Sequence, residues 1–501
     1  MTHARTADRS GGVITTLALA GVTASVMQTL VTPLLADLPK ILDTSPSNAA
    51  WVITATLLVA GVCVPITGRL GDMLGKRRML LACAAPLIAG SVVCALAGSI
   101  VPMIIGRGLQ GIGMGMIPLG IALLRDVVPA AKLSSSIALV SASMGIGGGI
   151  GLPVAAAVAQ YANWRLLFWG SAVLAAAVGA MILTLVPDVP ATAKGQRFDA
   201  VGALGLAVGL VCLLLAVSKG ADWGWGSATT LTLFATAAVI LTAWGWFEWR
   251  TREPLVDLRT TARPRVLLTN LASLFTGFGM YACMLVIPQL LQFPEATGYG
   301  LGQSMLAAGL WMLPGGLMMV VLSPVGGKLT NARGPKVTLI SGALVLAAGY
   351  LVSLLLTGTA WGLMAALVIM DSGVALAYGA MPALIMSTVP LSETAAANGF
   401  NALMRSLGTS IGAAVVGAVL AQMTTTVGGH TFTSENGFRT ALVIGCAVAL
   451  VSAVIAALIP DSHTARARQE TQPTADTDPA PAPHATRQGD TARTQLPHSG
   501  R

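Results

Sequence analysis

The sequence predicts an all-α polytopic membrane protein with fourteen transmembrane helices. Three observations predict it. Of 501 residues, 54% are hydrophobic and only 10% are charged, whereas a soluble domain carries about 25% charged residues. The apolar residues fall in long runs, and a membrane-crossing helix needs roughly 20 of them, so there are enough for a dozen or more spans. The runs are apolar on every face, which excludes a transmembrane β-barrel with its alternating strands.

Breaks at charges, Gly and Pro divide the runs into helices expected at 13–38, 49–67, 79–98, 100–124, 134–160, 165–187, 200–218, 228–247, 266–291, 303–325, 337–357, 360–389, 401–423 and 439–459. Lys and Arg orient them. With both termini in the cytoplasm, the inner segments hold 23 of the 29 basic residues. The outer loops hold only Lys40, Arg165, Lys219 and Arg439, and Arg107 and Arg405 fall inside spans. Basic residues gather on the cytoplasmic side, so the expected location is the cell membrane, multi-pass, with both termini inside. The first apolar run, from Val13, is too long for the core of a cleavable signal peptide and reads as the first span.

Other counts remove chemistry. The histidines (His3, His430, His463, His484, His498) lie outside the spans, so no intramembrane His relay or His-ligated metal is expected. The six cysteines are scattered singly with no CxxC spacing, as small apolar fillers are. The net charge of +9 reads as a topology signal, with no nucleic-acid partner.

An offset of 259 residues sets Gly68, Arg69, Leu70, Asp72, Gly75 and Arg77 on Gly327, Lys328, Leu329, Asn331, Gly334 and Lys336. It also sets Pro65 on Pro324 and the stretch 149–153 on 408–412. Two parallel repeats follow. The expected organisation is an N-tail (1–12), a six-helix bundle (13–187), a linker with two extra helices (188–265) and a second six-helix bundle (266–460). The polar, Pro-rich segment 461–501 is expected to be a disordered cytoplasmic tail. Repeated bundles with a site between them are the architecture of secondary transporters.

Several segments carry candidate function. Gly68-Arg-Leu-Gly-Asp-Met-Leu-Gly-Lys-Arg-Arg78, with its weaker copy, resembles the cytoplasmic loop signature of the major facilitator superfamily. The resemblance implies the major facilitator fold, and gives Asp72 with Arg77 and Arg78 the role of a conformational latch between the halves. Arg107, in Arg107-Gly-Leu-Gln-Gly-Ile-Gly113, resembles the superfamily's arginine motif, which is linked to proton coupling. The alternative is an Arg that bonds helix carbonyls and holds the fold. Arg405 is set to face the bundle or to snorkel to the interface.

Span 5 carries Gly145-Ile-Gly147-Gly-Gly-Ile-Gly151-Leu-Pro153, similar to the antiporter signature of exporters in the superfamily, with the Pro one residue late. Close-spaced glycines equally make a small-residue packing face. Asn163-Trp-Arg-Leu-Leu-Phe-Trp169 resembles a signature of fourteen-span drug:proton antiporters. The chain departs from that branch in span 1, where Met27 stands in place of the usual Asp. Asp371 is then the one carboxylate near the middle of an apolar run, about 11 residues or roughly 16 Å deep. It is set either to take up protons or to hydrogen-bond neighbouring hydroxyls.

The resemblance therefore implies an antiporter that exports a hydrophobic or amphipathic drug-like small molecule by alternating access. Proton coupling is expected at Arg107 and Asp371, which the 259-residue offset puts at similar depth, facing one cavity. Protons and the lipid bilayer are the other expected partners, and the chain is expected to work as a monomer. No cofactor is expected beyond the proton gradient, and no enzymatic activity. The rival is an uptake symporter for a metabolite, which needs polar side chains clustered mid-span; those positions here are mostly Ala, Gly, Leu, Val and Met.

Overall fold

The computed structural model describes residues 2–460, apart from 33, 35, 36, 428 and 429. The segment 461–501, expected to be a disordered tail, lies outside the described residues. Among the described residues, fourteen helical spans are long and apolar enough to cross a membrane. Helix α1 (Thr2–Thr29) is followed by a short α2 (Leu38–Ile41), then α3 (Pro46–Leu74), α4 (Lys76–Leu96), α5 (Ile100–Gly113) and α6 (Met116–Val127). Next come α7 (Ala130–Tyr161), α8 (Arg165–Leu185), α9 (Ala200–Trp223), α10 (Ala228–Arg250) and a short α11 (Leu258–Thr261). The chain then forms α12 (Pro264–Gln292), α13 (Met305–Arg333), α14 (Pro335–Leu355), α15 (Ala360–Met386), α16 (Thr394–Gln422) and α17 (Glu435–Ala457). Between the last two lies a small ribbon, β1 (Thr424–Val427) antiparallel to β2 (His430–Thr433), with Thr424 opposite Thr433.

Four boundaries differ most from the sequence reading. Span 10 runs on to Arg333 rather than 325, and span 13 begins at Thr394 rather than 401. Span 1 stops at Thr29 rather than 38, and the following Val31 and Thr32 form a turn; a residue before Pro is disfavoured in the α region. Span 2 runs on to Leu74 rather than 67. Arg69 and Asp72 are therefore helical, and the expected inter-span loop shrinks to a single residue. That residue is Gly75, with φ of +100°, a backbone conformation that glycine adopts without steric cost. Gly334, 259 positions on, makes the same one-residue turn at φ +85°. Span 4 is formed by α5 and α6, interrupted at Met114 and Gly115.

Packing repeats with the same offset. In the first set α1 packs on α7, α3 on α5, and α4 on both α5 and α8. In the second, α12 packs on α16, α13 on α15, and α14 on both α15 and α17. These are the same four pairings of repeat-equivalent spans. The sets meet along two seams, α3 against α16 and α7 against α13. Helix α9 lies over the first seam, burying Leu206, Leu210 and Leu214 against Leu58, Val62 and Ile66 of α3 and Phe400, Leu403 and Leu407 of α16. Helix α10 packs chiefly on α9.

Candidate transport site

At the Gly75 end, the α3–α16 seam is held by Asp72. Its side chain is fully buried. Oδ2 accepts from the backbone N–H of Ala395 and of Ala396, both at 2.9 Å, and Oδ1 from Ala395 at 3.1 Å. These are first-turn amides of α16, which lack partners within their own helix, and the helix dipole favours an anion there. One carboxylate of the first repeat thus caps a helix of the second. Gly68 permits the approach, since a Cβ on it would lie 2.5 Å from the Ala395 carbonyl oxygen.

Charged neighbours fix Asp72. Lys76 Nζ stands 3.8 Å from it and 2.6 Å from Asp126. Arg125 crosses the seam as well, donating to Thr394 Oγ1 at 2.8 Å and to the Val389 carbonyl at 3.3 Å. Of the basic residues expected to share the latch, Arg77 instead donates to the Leu183 carbonyl at 2.5 Å, within its own repeat. Arg78 is exposed, and among the described residues it has no hydrogen-bond or ion-pair partner. The contacts of Arg125, Lys76 and Asp126 escaped sequence reading. The one available signal was an acidic–basic pair where span 4 ends.

Helix α7 carries the glycine motif on two faces. Gly147 and Gly151 meet α1: a Cβ on Gly147 would lie 2.4 Å from Ser25 Cβ, and one on Gly151 would lie 2.1 Å from Thr29 Oγ1. Ser25 and Thr29 also donate to the carbonyls of Met144 and Gly147. The other face meets α13 across the seam. Gly149 and Gly316 approach backbone to backbone, and a Cβ on Gly309 would lie 3.1 Å from Pro153 Cα. The stripe that resembles an antiporter signature is thus a two-sided packing surface, with one face inside the first repeat and the other across the seam.

Arg107 is 1% exposed. Its Nε donates to the Val52 carbonyl at 3.1 Å, and one terminal nitrogen donates to the Met27 carbonyl and to Gln110 Oε1, both at 2.7 Å. Gln110 Nε2 in turn donates to Ser91 Oγ at 2.8 Å. Arg107 so ties α5 to α1 and α3. Among the described residues no acidic group makes an ion pair with it.

Asp371 sits in the second repeat, on α15, and is also 1% exposed. Its Oδ2 lies 2.4 Å from where a Cβ on Gly315 of α13 would stand. Neither carboxylate oxygen has a hydrogen-bond partner, so the alternative of a hydroxyl-bonded Asp is not what the structure contains. Among the described residues Asp371 makes no ion pair with Arg107, so the expected pairing of the two is not present in this structure. The offset maps Asp371 onto Ile112, five residues beyond Arg107. Five residues turn a helix through about 500°, leaving the two positions roughly 140° apart around the axis. Equal depth did not mean a common face. The in-span arginine of the second repeat, Arg405, stacks over the Tyr378 ring at 4.6 Å rather than snorkelling. Tyr378 lies on α15, about 10 Å along the axis from Asp371.

Fourteen spans, two sets of helices with the same internal pairings, and an acid of one set capping a helix of the other define a helical membrane transporter. The chain belongs to the Major Facilitator Superfamily, whose family pattern matches residues 17–413. It is 29% identical to an uncharacterized MFS-type transporter of Mycobacterium tuberculosis over 83% of this chain, and spans only 62% of that relative's length. It is 29% identical to the multidrug resistance protein Stp of M. tuberculosis, over 78% of this chain and 72% of Stp. With the multidrug transporter protein MdtP of Bacillus subtilis it shares 27% identity, over 75% of this chain and 69% of MdtP. Among solved structures, the human organic anion transporter MFSD10 superposes with a TM-score of 0.65 at 16% identity, covering 89% of this chain and 99% of MFSD10. The proton:xylose symporter XylE superposes at 0.62 and 13%, covering 91% and 96%. At these identities the structural likeness is one of fold.

Proposed function

We propose that this chain is a proton-driven exporter of a hydrophobic or amphipathic small molecule, working by alternating access in the cell membrane with both termini in the cytoplasm. Its carrying observation is Asp371, a buried carboxylate in mid-span with no hydrogen-bond partner. A carboxylate at such a depth is costly unless neutral or paired, and it is therefore a natural place to load and unload a proton. The names of Stp and MdtP support the drug-like class of substrate, as does a mid-span surface made mostly of small apolar side chains.

In this reading Asp72 and Arg125 close the cytoplasmic end, and release of α16 from Asp72 opens it. Arg107 is a structural tie within the first repeat, and Asp371 exchanges the proton alone. Moving one charge through 100 mV is worth about 2.3 kcal/mol, and tenfold costs about 1.4 kcal/mol. One proton exchanged for a neutral substrate would support a gradient of roughly 50-fold from the potential alone. Asp371→Asn is expected to abolish uphill transport in inverted vesicles under an imposed pH gradient, while downhill exchange persists. Uphill pumping by Asp371→Asn with an undiminished pH dependence would overturn the assignment.

A further inference from the structure

The two extra helices contain a feature that the transport reading leaves unused. Asp199 is the N-cap of α9, and its Oδ1 accepts from Gly202 N at 2.7 Å. Its Oδ2 makes no well-formed hydrogen bond and lies near Glu248, close to the end of α10, whose two carboxylate oxygens also make none. Glu248 is 1% exposed. Asp199 Oδ2 and Glu248 Oε1 lie 2.4 and 2.6 Å from the point where a Cβ on Gly202 would stand, which puts them at most 5.0 Å apart.

We propose that Asp199 and Glu248 hold one proton between them, forming a second protonation site built into the α9–α10 pair. Two carboxylates this close, one fully buried, repel strongly if both are ionised, and one shared proton replaces the repulsion with a charge-assisted hydrogen bond. A metal cation fits the surroundings poorly. The remaining polar neighbours of Glu248 are donors, the amides of Leu255 and Val256 and the indole of Trp244, whereas a hard cation needs several further oxygens. Gly202 leaves the room in which the carboxylates meet.

The other charged groups on the elements packed here are engaged elsewhere or face solvent. Arg250 stacks over Trp246. Arg259 donates to the carbonyls of Trp249 and Thr251, and Asp257 caps α11. Glu253 accepts from the Arg197 amide, Arg69 of α3 donates to Gln196, and the side chains of Arg197 and Arg252 are exposed. The site has a consequence for the latch end. Leu255 and Val256 are buried against α9, in the segment that leads to α12, and that segment walls a cavity of about 70 Å³ together with Arg69 and Glu393. Loss of the proton would drive Glu248 away from Asp199 and towards the Leu255 and Val256 amides, shifting this segment.

The test is thermal unfolding of the full chain in detergent across acid to alkaline pH, comparing wild type, Glu248→Gln and Asp199→Asn. Asn is as good an N-cap as Asp, so Asp199→Asn keeps the helix start. Asp72 and Asp371 are present in all three proteins, so their contributions cancel. As pH rises from the ordinary carboxylate range to the pH at which the shared proton leaves, the wild type is expected to lose stability more steeply than both variants, by up to one proton, which is about tenfold in the unfolding constant per pH unit. Parallel pH profiles in wild type and either folded variant would overturn the proposal. So would restoration of the wild type's alkaline stability by sodium or calcium that leaves the variants unchanged, since the pair would then hold a metal cation. The readout is independent of transport and of Asp371.

Discussion

Asp72→Asn isolates the contact between the repeats. The native carboxylate accepts three hydrogen bonds of 2.9–3.1 Å from two first-turn amides of α16. Hydrogen bonds to a charged group contribute about 1.5–3 kcal/mol each, and an anion at a helix N-terminus adds up to about 2 kcal/mol. Asn keeps one oxygen, which can still take the two amides that Oδ2 takes now. It loses the charge and turns an NH2 group towards an N–H donor. The closed seam should lose about 3 kcal/mol, or roughly 100-fold in the equilibrium between closed and open. Spin labels at Leu74 and Leu391, both 53% exposed and flanking the contact, read that equilibrium as a distance distribution in a background with the native cysteines replaced. The short-distance population should fall from dominant to minor in Asp72→Asn. Arg78→Gln should leave it unchanged, because Arg78 touches nothing across the seam. A distribution for Asp72→Asn identical to wild type would refute the latch, and the capping geometry would then be only a feature of folding.

Further outcomes follow from other contacts. Arg107→Ala leaves the Met27 carbonyl and Gln110 Oε1 without their side-chain donor, while the Val52 carbonyl keeps Thr56 Oγ1, at about 1–3 kcal/mol for each orphaned acceptor. The purified protein should melt at a clearly lower temperature, with Arg107→Lys recovering only part of the loss because a single ammonium cannot span the fork; an unchanged melting temperature would free Arg107 for a purely coupling role. Gly316→Ala puts a Cβ 2.6 Å from the Gly145 carbonyl oxygen and 2.8 Å from Gly149 Cα. It should cost about 1–3 kcal/mol by overpacking and slow transport while membrane insertion stays normal, and wild-type transport would show that the α7–α13 seam moves as one body. A phosphatase reporter fused after Pro460 should be inactive when exported activity is assayed, and an active fusion would reverse the proposed orientation.

Much of the fold was legible because bilayer chemistry writes on sequence directly. Each span has to be apolar over its whole length, so fourteen runs became fourteen helices. The repeat offset set Gly75 on Gly334, which make the same positive-φ turn, and the two parallel repeats it implied have matching helix pairings. Errors arose where residues are polar yet buried. Arg69 and Asp72 read as loop residues because charges mark span ends, but their buried contacts let α3 continue two further turns. Arg107 and Asp371 read as a pair because each is a scarce charge at similar depth. Depth can be counted along a chain, whereas the facing of two side chains depends on how separate helices are rotated and packed.

The sequence by itself determined that this is a fourteen-span helical membrane protein built from two repeats, because hydrophobic length and basic asymmetry are local properties that water and lipid sort one segment at a time. Only the tertiary structure decided that Asp72 caps α16 of the other repeat. It likewise decided that the α7 glycines pack on two faces, that Arg107 bonds carbonyls while Asp371 stands without a partner, and that Asp199 meets Glu248. Each of those is a meeting of residues distant in the chain, fixed by close helix contact, and no local pattern of residues encodes it.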